Sequence, residues 1–215
     1  MGGRYRLGIV ELAFGGMDAI DHVRSARQAA ALGFDHLDLV DGEEGGALAL
    51  PVVDHFVVDV PRPGWSTGAA PEGPGQWERC VEAFRRAPGA RVEPWGGSII
   101  NRIDKVKAFL AEVPDVTLLL DVGHVAAWGE DPAELIPYAG HIQVRQAHRG
   151  VVQSADGDID FAAFVAELDR QGYAGALSIE YFDLPDLGLP LDDPVGHAVA
   201  LAEQLRPLLA AGRGG

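Results

Sequence analysis

Three runs decide how this chain folds: VTLLLDVGH (Val116–His124), GHIQVRQ (Gly140–Gln146) and GALSIEYF (Gly175–Phe182). Each is an apolar, strand-like run that delivers a polar residue at or near its carboxyl end: Asp121, Gln143 and Glu180. An earlier run, RVEPWGG (Arg91–Gly97), delivers Glu93 in the same way. A carboxylate or amide at the end of a buried strand costs free energy unless it is used or paired. Four such residues, one from each of four successive strand and helix units, imply one shared site at the carboxyl ends of a parallel sheet, where α/β folds place their chemistry. Its oxygen-rich lining is suited to a divalent cation.

Outward from these runs the chain alternates strands with helices. Tyr5–Phe14 reads as a strand, Asp18 as a cap, DAIDHVRSARQAAALG as a helix ended at Gly33, and FDHLDLVD as the next strand. HFVVDV (His55–Val60) is a short strand, whereas PRPGWSTGAAPEGPG (Pro61–Gly75) reads as an ordered loop or mobile lid. QWERCVEAFRRA is helical. Further helices are expected over 101–113, over 131–138 with Pro132 in the first turn, after the Asp160 cap, and from Pro194 onward. About seven strand candidates result, against the eight of a complete (β/α)8 barrel. The expected fold is therefore a TIM barrel over residues 1–215 as a single domain, trimmed or distorted in its N-terminal half, with the missing unit between Asp41 and Pro88. An open doubly wound sheet is the alternative, but no GxGxxG or P-loop follows the first strand.

Composition narrows the partners. A chain of 215 residues with 47% apolar and 23% charged content is ordinary for a globular domain, but its net charge of −15 is not. Such a surface repels phosphate backbones and anionic membranes, so neither nucleic acid nor a membrane is an expected partner; a small-molecule substrate is, and a homo-oligomer is compatible. The lone Cys80, within a helical pattern, excludes an internal disulfide and fits a reducing compartment. With no basic, apolar leader at the start, the expected location is cytoplasmic.

The elements DVGH (Asp121–His124), GHIQV (Gly140–Val144), DGDIDFAAF (Asp156–Phe164) and GYAGALSIEYF (Gly172–Phe182), in this order and spacing, resemble the closing third of the xylose-isomerase-like TIM barrels, which include hydroxypyruvate isomerases, ketose 3-epimerases and inosose dehydratases. GFDHLDL (Gly33–Leu39) resembles the family's second strand. The resemblance implies Glu93, Asp121, Gln143 and Glu180 as metal ligands, with His124 and Arg149 as substrate contacts. Epimerases of the family usually carry histidine where this chain has Gln143. Hydroxypyruvate isomerases are similar to this chain in having glutamine there, which points to a small hydroxy-carbonyl substrate.

The chemistry follows from the residue types. Three carboxylates and an amide oxygen suit Mg²⁺ or Mn²⁺, with Co²⁺ or Zn²⁺ as the borderline alternatives. Such an ion would chelate a carbonyl and its neighbouring hydroxyl while Glu93 and Glu180, as base and acid, move a proton at the carbon between them. The expected activity is thus a metal-dependent sugar isomerase or epimerase. A dehydratase using the same enolate and a non-catalytic or partner-dependent barrel are the competing readings. A nuclease of the endonuclease IV type is disfavoured, because its metal centre needs more histidines at strand ends than this chain offers. Trp65, Trp95 and Trp128 are candidates for pocket walls, and Glu11 for either a site residue or a structural charge.

Overall fold

The computed structural model describes residues 5–17, 20–41 and 47–211. Eight parallel strands close into a barrel: β1 (Leu7–Val10), β2 (Leu37–Val40), β3 (Val52–Phe56), β4 (Ser66–Gly68), β5 (Arg91–Glu93), β6 (Thr117–Asp121), β7 (Ala139–Val144) and β8 (Leu177–Ile179). Closure is made by β1 against β8, with Leu7 opposite Leu177 and Ile9 opposite Ile179. The main helices are α1 (His22–Ala31), α2 (Gln76–Arg85), α3 (Ile103–Glu112), α4 (Val122–Trp128), α5 (Phe161–Gln171) and α6 (Pro194–Ala211).

No strand is missing from the barrel. The expected gap between Asp41 and Pro88 holds β3, shifted toward the N-terminus, and β4, whose three residues lie inside the Pro- and Gly-rich stretch that reads as a loop. So short a strand leaves no period-2 pattern to recognise. What the N-terminal half lacks is helices: among the described residues none stands between β2 and β3 or between β3 and β4. The connecting residues, 41–51 and 57–65, are fewer than the roughly dozen that a helical crossover takes.

Local chemistry sets the helix starts. Asp21 caps α1 by accepting the Arg24 N–H at 2.9 Å, and Asp160 caps α5 by accepting that of Ala163 at 3.0 Å. Asp18, expected as the first cap, lies outside the described residues. The stretch after β6 divides into α4 and a separate 3-10 turn over Pro132–Tyr138, capped by Asp131. Cys80 is buried on α2. Outward-facing strand residues such as Ile9, Leu37, Leu118, Leu120, Ile142 and Leu177 pack with the helices in the main apolar core. Among the described residues no helix is long and apolar enough to cross a membrane.

The interior of the barrel is polar. His141 on β7 reaches across to Asp38 on β2, Nε2 to Oδ2 2.7 Å, and His36 meets the Ser178 hydroxyl on β8 at 2.8 Å. On the opposite side Asp54 accepts from Ser66 at 2.5 Å and is paired with Arg91. Gly8 opens space for this network, since a Cβ there would lie 2.3 Å from the His36 ring. Burial lowers the His36 pKa to about 4, while its neighbour Asp38 pulls the other way.

That shift has a sign. An unfolded chain protonates this histidine below about pH 6.5 and the folded one only near 4, so stability is lost as pH falls through that window, by about 3 kcal/mol. Urea unfolding of the wild type and His36→Gln at pH 7 and pH 4 should show a smaller acid loss in the variant by about that amount. Equal losses would place the acid sensitivity elsewhere.

Candidate active site

Side chains alternate along a strand, so residues two apart share a face. On β7 the inward series is His141, Gln143 and then Arg145, one step past the strand. Glu93 closes β5, Asp121 closes β6 opposite Gln143, and Glu180 follows β8 directly. All four residues expected from sequence lie buried at this carboxyl rim. Asp121 and Glu180 are tied by a single neighbour.

Asp121 Oδ1 caps α4, accepting the Gly123 N–H at 2.7 Å. Its Oδ2 is paired with the Arg145 guanidinium, whose Nη1 lies 3.1 Å from Glu180 Oε2. Oδ2 also sits 3.6 Å from His124 Nε2, which in turn is 3.7 Å from Glu93 Oε1. Ligand atoms of Glu93, Asp121 and His124 lie within 4.8 Å of one another, a grouping that could hold a metal ion. Gln143 Oε1 is buried and has no hydrogen-bond partner.

Burial raises the Glu93 carboxyl well above its ordinary range, and the negative neighbours Glu180 and Asp121 raise it further. Glu180 is pushed up to about 8, again chiefly by burial, with Arg145 offsetting part of the effect. His124 falls to about 4 because burial disfavours its charged form. A neutral imidazole and two carboxyls able to hold a proton at neutral pH therefore face one space.

That space is a cavity of about 390 Å³. Its polar floor is Glu93, His124, Gln143, Arg145 and Glu180; Leu12, Val40, Phe56, Phe182 and Leu189 contribute apolar walls. The two halves of the barrel differ. At the carboxyl ends of β1 to β4 stand Val10, Val40, Phe56 and Gly68, whereas β5 to β8 contribute Glu93, Asp121, Gln143 and Glu180. Trp95 walls the cavity from beyond β5, its indole N–H donated to the Ala69 carbonyl at 2.8 Å. Trp65 instead stacks on His55 with ring centroids 4.6 Å apart. The Trp128 indole nitrogen is buried without a partner and lies outside this cavity.

Arg149 is not brought to the cage. It is exposed, and its stem packs near Gly129 at a separate surface pocket with His148 and Glu167. Glu11 is also outside the cavity lining: it accepts the Val40 N–H at 2.6 Å and lies 2.8 Å from His22 Nδ1, clamping β1 to β2. Arg145 is the residue that sequence reading passes over. Its signal was the polar alternation His141, Gln143, Arg145 within an apolar run.

The xylose isomerase-like TIM barrel family matches residues 24–206. The chain belongs to this family. Among solved structures it is similar to D-psicose 3-epimerase from Clostridium cellulolyticum H10 bound to D-tagatose, with 18% identity and a TM-score of 0.71 over 96% of this chain and 100% of the other. It is similar also to a xylose isomerase-like TIM barrel protein from Mycobacterium smegmatis in complex with magnesium, with 15% identity and a TM-score of 0.72 over the whole of both chains. A third is 3-keto-D-glucoside 4-epimerase from E. coli, with 16% identity and a TM-score of 0.69 over 94% of this chain and 99% of the other. No curated protein sequence matches. At these identities the shared property is the fold.

Within this xylose isomerase-like barrel the donors suit a hard divalent ion, and the Arg145 guanidinium stands among them. The guanidinium stands against Asp121 Oδ2, the oxygen such an ion would share with His124. Gly123 is what admits it: a Cβ there would lie 2.7 Å from Arg145 Cγ and Nε and 2.5 Å from the Val152 carbonyl. Gly123→Ala should therefore destabilise the fold by about 1–3 kcal/mol, read from the urea midpoint. An unchanged midpoint would show that the rim yields without cost.

Proposed function

We propose that this chain is an isomerase or epimerase that moves a proton at a carbon next to a carbonyl, in a small hydroxy-carbonyl compound bound at the carboxyl rim of the barrel. The observation that carries this reading is the pair Glu93 and Glu180, two buried carboxyls with raised pKa on one polar floor. Two such carboxyls suit a reaction in which one, as carboxylate, removes a proton from one face of a carbon and the other returns one to the opposite face. The solved epimerases of similar fold support the reading by analogy.

The split between the barrel halves orients the substrate. Its hydroxy-carbonyl end belongs over β5 to β8, and the remainder lies against Val40, Phe56, Phe182 and Leu189. Such a wall favours a compound with an apolar portion over one hydroxylated throughout. His124, neutral and within the floor, is placed to hydrogen-bond a substrate oxygen. The divalent-metal dependence expected from the donor types is not part of this proposal, because Arg145 stands at the carboxylate an ion would need.

Incubation of candidate hydroxy-ketones with the protein in D₂O, followed by NMR, should show deuterium entering at the carbon beside the carbonyl. Glu93→Gln and Glu180→Gln should each slow this exchange by roughly 10²–10⁴-fold with circular dichroism unchanged. Full exchange in both variants would remove the assigned roles. A product lighter by one water would assign the same site to a dehydratase.

The pair also sets a pH signature. Forward and reverse reactions use the same singly protonated pair, so kcat/KM should be bell-shaped with its maximum at the same pH in both directions. One limb should fall near pH 8, where Glu180 changes charge. A flat profile across that pH would contradict the assignment.

A further inference from the structure

We propose that Arg145 is the resident cation of the carboxylate cage, standing where a divalent ion would bind and facing the substrate oxygen that gains charge during the reaction. The occupancy half of this proposal stands on geometry alone; the catalytic half rests on the function proposed above.

The side chain is placed there by the fold. Arg145 follows Gln143 on the inward face of β7 and is fully buried at 0% exposure. Its guanidinium spans the site, with Nη2 on Asp121 Oδ2 and Nη1 3.1 Å from Glu180 Oε2. The guanidinium carbon lies 5.1 Å from the centre of the Phe182 ring, a cation-on-aromatic contact that fixes it from above. Gly123, with no Cβ, leaves the room its stem needs. Four residues, Asp121, Gly123, Glu180 and Phe182, therefore surround this one side chain, which is what a built position looks like.

A metal and the guanidinium compete for the same atom. Asp121 has one oxygen committed to the Gly123 N–H and the other to Arg145. An ion ligated by Glu93, Asp121 and His124 would have to share Asp121 Oδ2 with a fixed positive charge. Arginine cannot relieve that repulsion by losing a proton, as a lysine could. The cage keeps its three carboxyl groups and carries its own positive charge.

In the reaction the proton passes from the substrate carbon to one carboxylate. The electron pair of the broken C–H bond becomes the C=C bond, and the carbonyl π pair moves to oxygen. The guanidinium faces that oxygen with charge-assisted hydrogen bonds, and reprotonation from the other carboxyl restores the carbonyl. No electron or proton is left over, and no co-reactant is needed.

The test is a titration of the full chain with Mn²⁺, read from the loss of the free-ion EPR signal. The wild type should show no saturable site tighter than about 1 mM, the weak end of the range for divalent ions on oxygen ligands. Arg145→Met and Arg145→Ala should each gain one site per chain, at least tenfold tighter, that Asp121→Asn added to either variant removes; circular dichroism reports that each remains folded. A tight single site in the wild type that Asp121→Asn abolishes overturns the proposal, and so does failure of both folded arginine variants to gain one. Solvent exchange then separates this inference from the proposed function. Exchange by the wild type in EDTA, lost in Arg145→Met, supports both. Exchange that requires added Mn²⁺ overturns the role of Arg145 and leaves the reaction class standing. Absence of exchange in every condition, with the Mn²⁺ pattern as expected, removes the reaction and retains the cation.

Discussion

The rim of this barrel depends on one ion-paired triad: the Arg145 guanidinium between Asp121 and Glu180. Three carboxyls gathered in a buried space repel one another and lose hydration, and only a compensating charge or retained protons make the arrangement tolerable. This structure uses both. Asp121 takes the guanidinium, while Glu93 and Glu180 are left with raised pKa. A charge fixed on the chain thus divides the cage into one carboxylate held for structure and two carboxyls able to exchange protons.

The same logic runs down the barrel axis. Below Gln143 and Glu180 on their own strands stand His141 and Ser178, joined to Asp38 and His36 from β2. Burial works against the charge of both His141 and Asp38, yet each is held in its charged form by the other: the His141 pKa is raised and that of Asp38 lowered. A second set, Asp54, Ser66 and Arg91, joins β3, β4 and β5 on the side where, among the described residues, no helix stands between β3 and β4. Polar pairing here stands in for the layers of branched apolar side chains that commonly fill such a barrel. It also supports the floor of the cavity, since the polar inward residues under the cage, His141, Ser178 and Arg91, are hydrogen-bonded across strands.

How much of this was readable beforehand follows from strand length and alternation. β6 and β7, with five and six residues, carry enough apolar positions to announce themselves, and their terminal Asp121 and Gln143 were legible with them. Glu93 closes and Glu180 follows a strand of only three residues, but the flanking RVEPW and SIEYF still isolate one acid in an apolar setting. β4 has no such contrast: Ser66, Thr67 and Gly68 are loop residues by composition and strand residues only because β3 and β5 lie on either side. Arg145 was hidden for the opposite reason. An arginine two residues past a presumed ligand looks like a surface charge until closure of the barrel turns that face inward. Arg149 illustrates the converse, since the family resemblance nominated it while the turn around Gly150, with φ of +83°, leaves it on the outer surface.

The stretches after β2 and β3, where no helix stands among the described residues, bear on the substrate as well as on the fold. On this side the rim is lined by apolar side chains, with Val58 and, from the turn after β8, Leu187 exposed at the cavity edge. Apolar groups left facing solvent beside a pocket lose water when a ligand with matching surface arrives, so the trimmed half contributes binding that is indifferent to hydroxyl pattern. Discrimination among hydroxyls must then come from the other half, where Gln143 Oε1 lacks a partner and His124 is uncharged. Neither residue adds a charge to the rim, although His124 Nε2 lies 3.6 Å from Asp121 Oδ2 of the ion pair. They are the positions at which a change of substrate can be made without unbalancing the charges that hold the rim together.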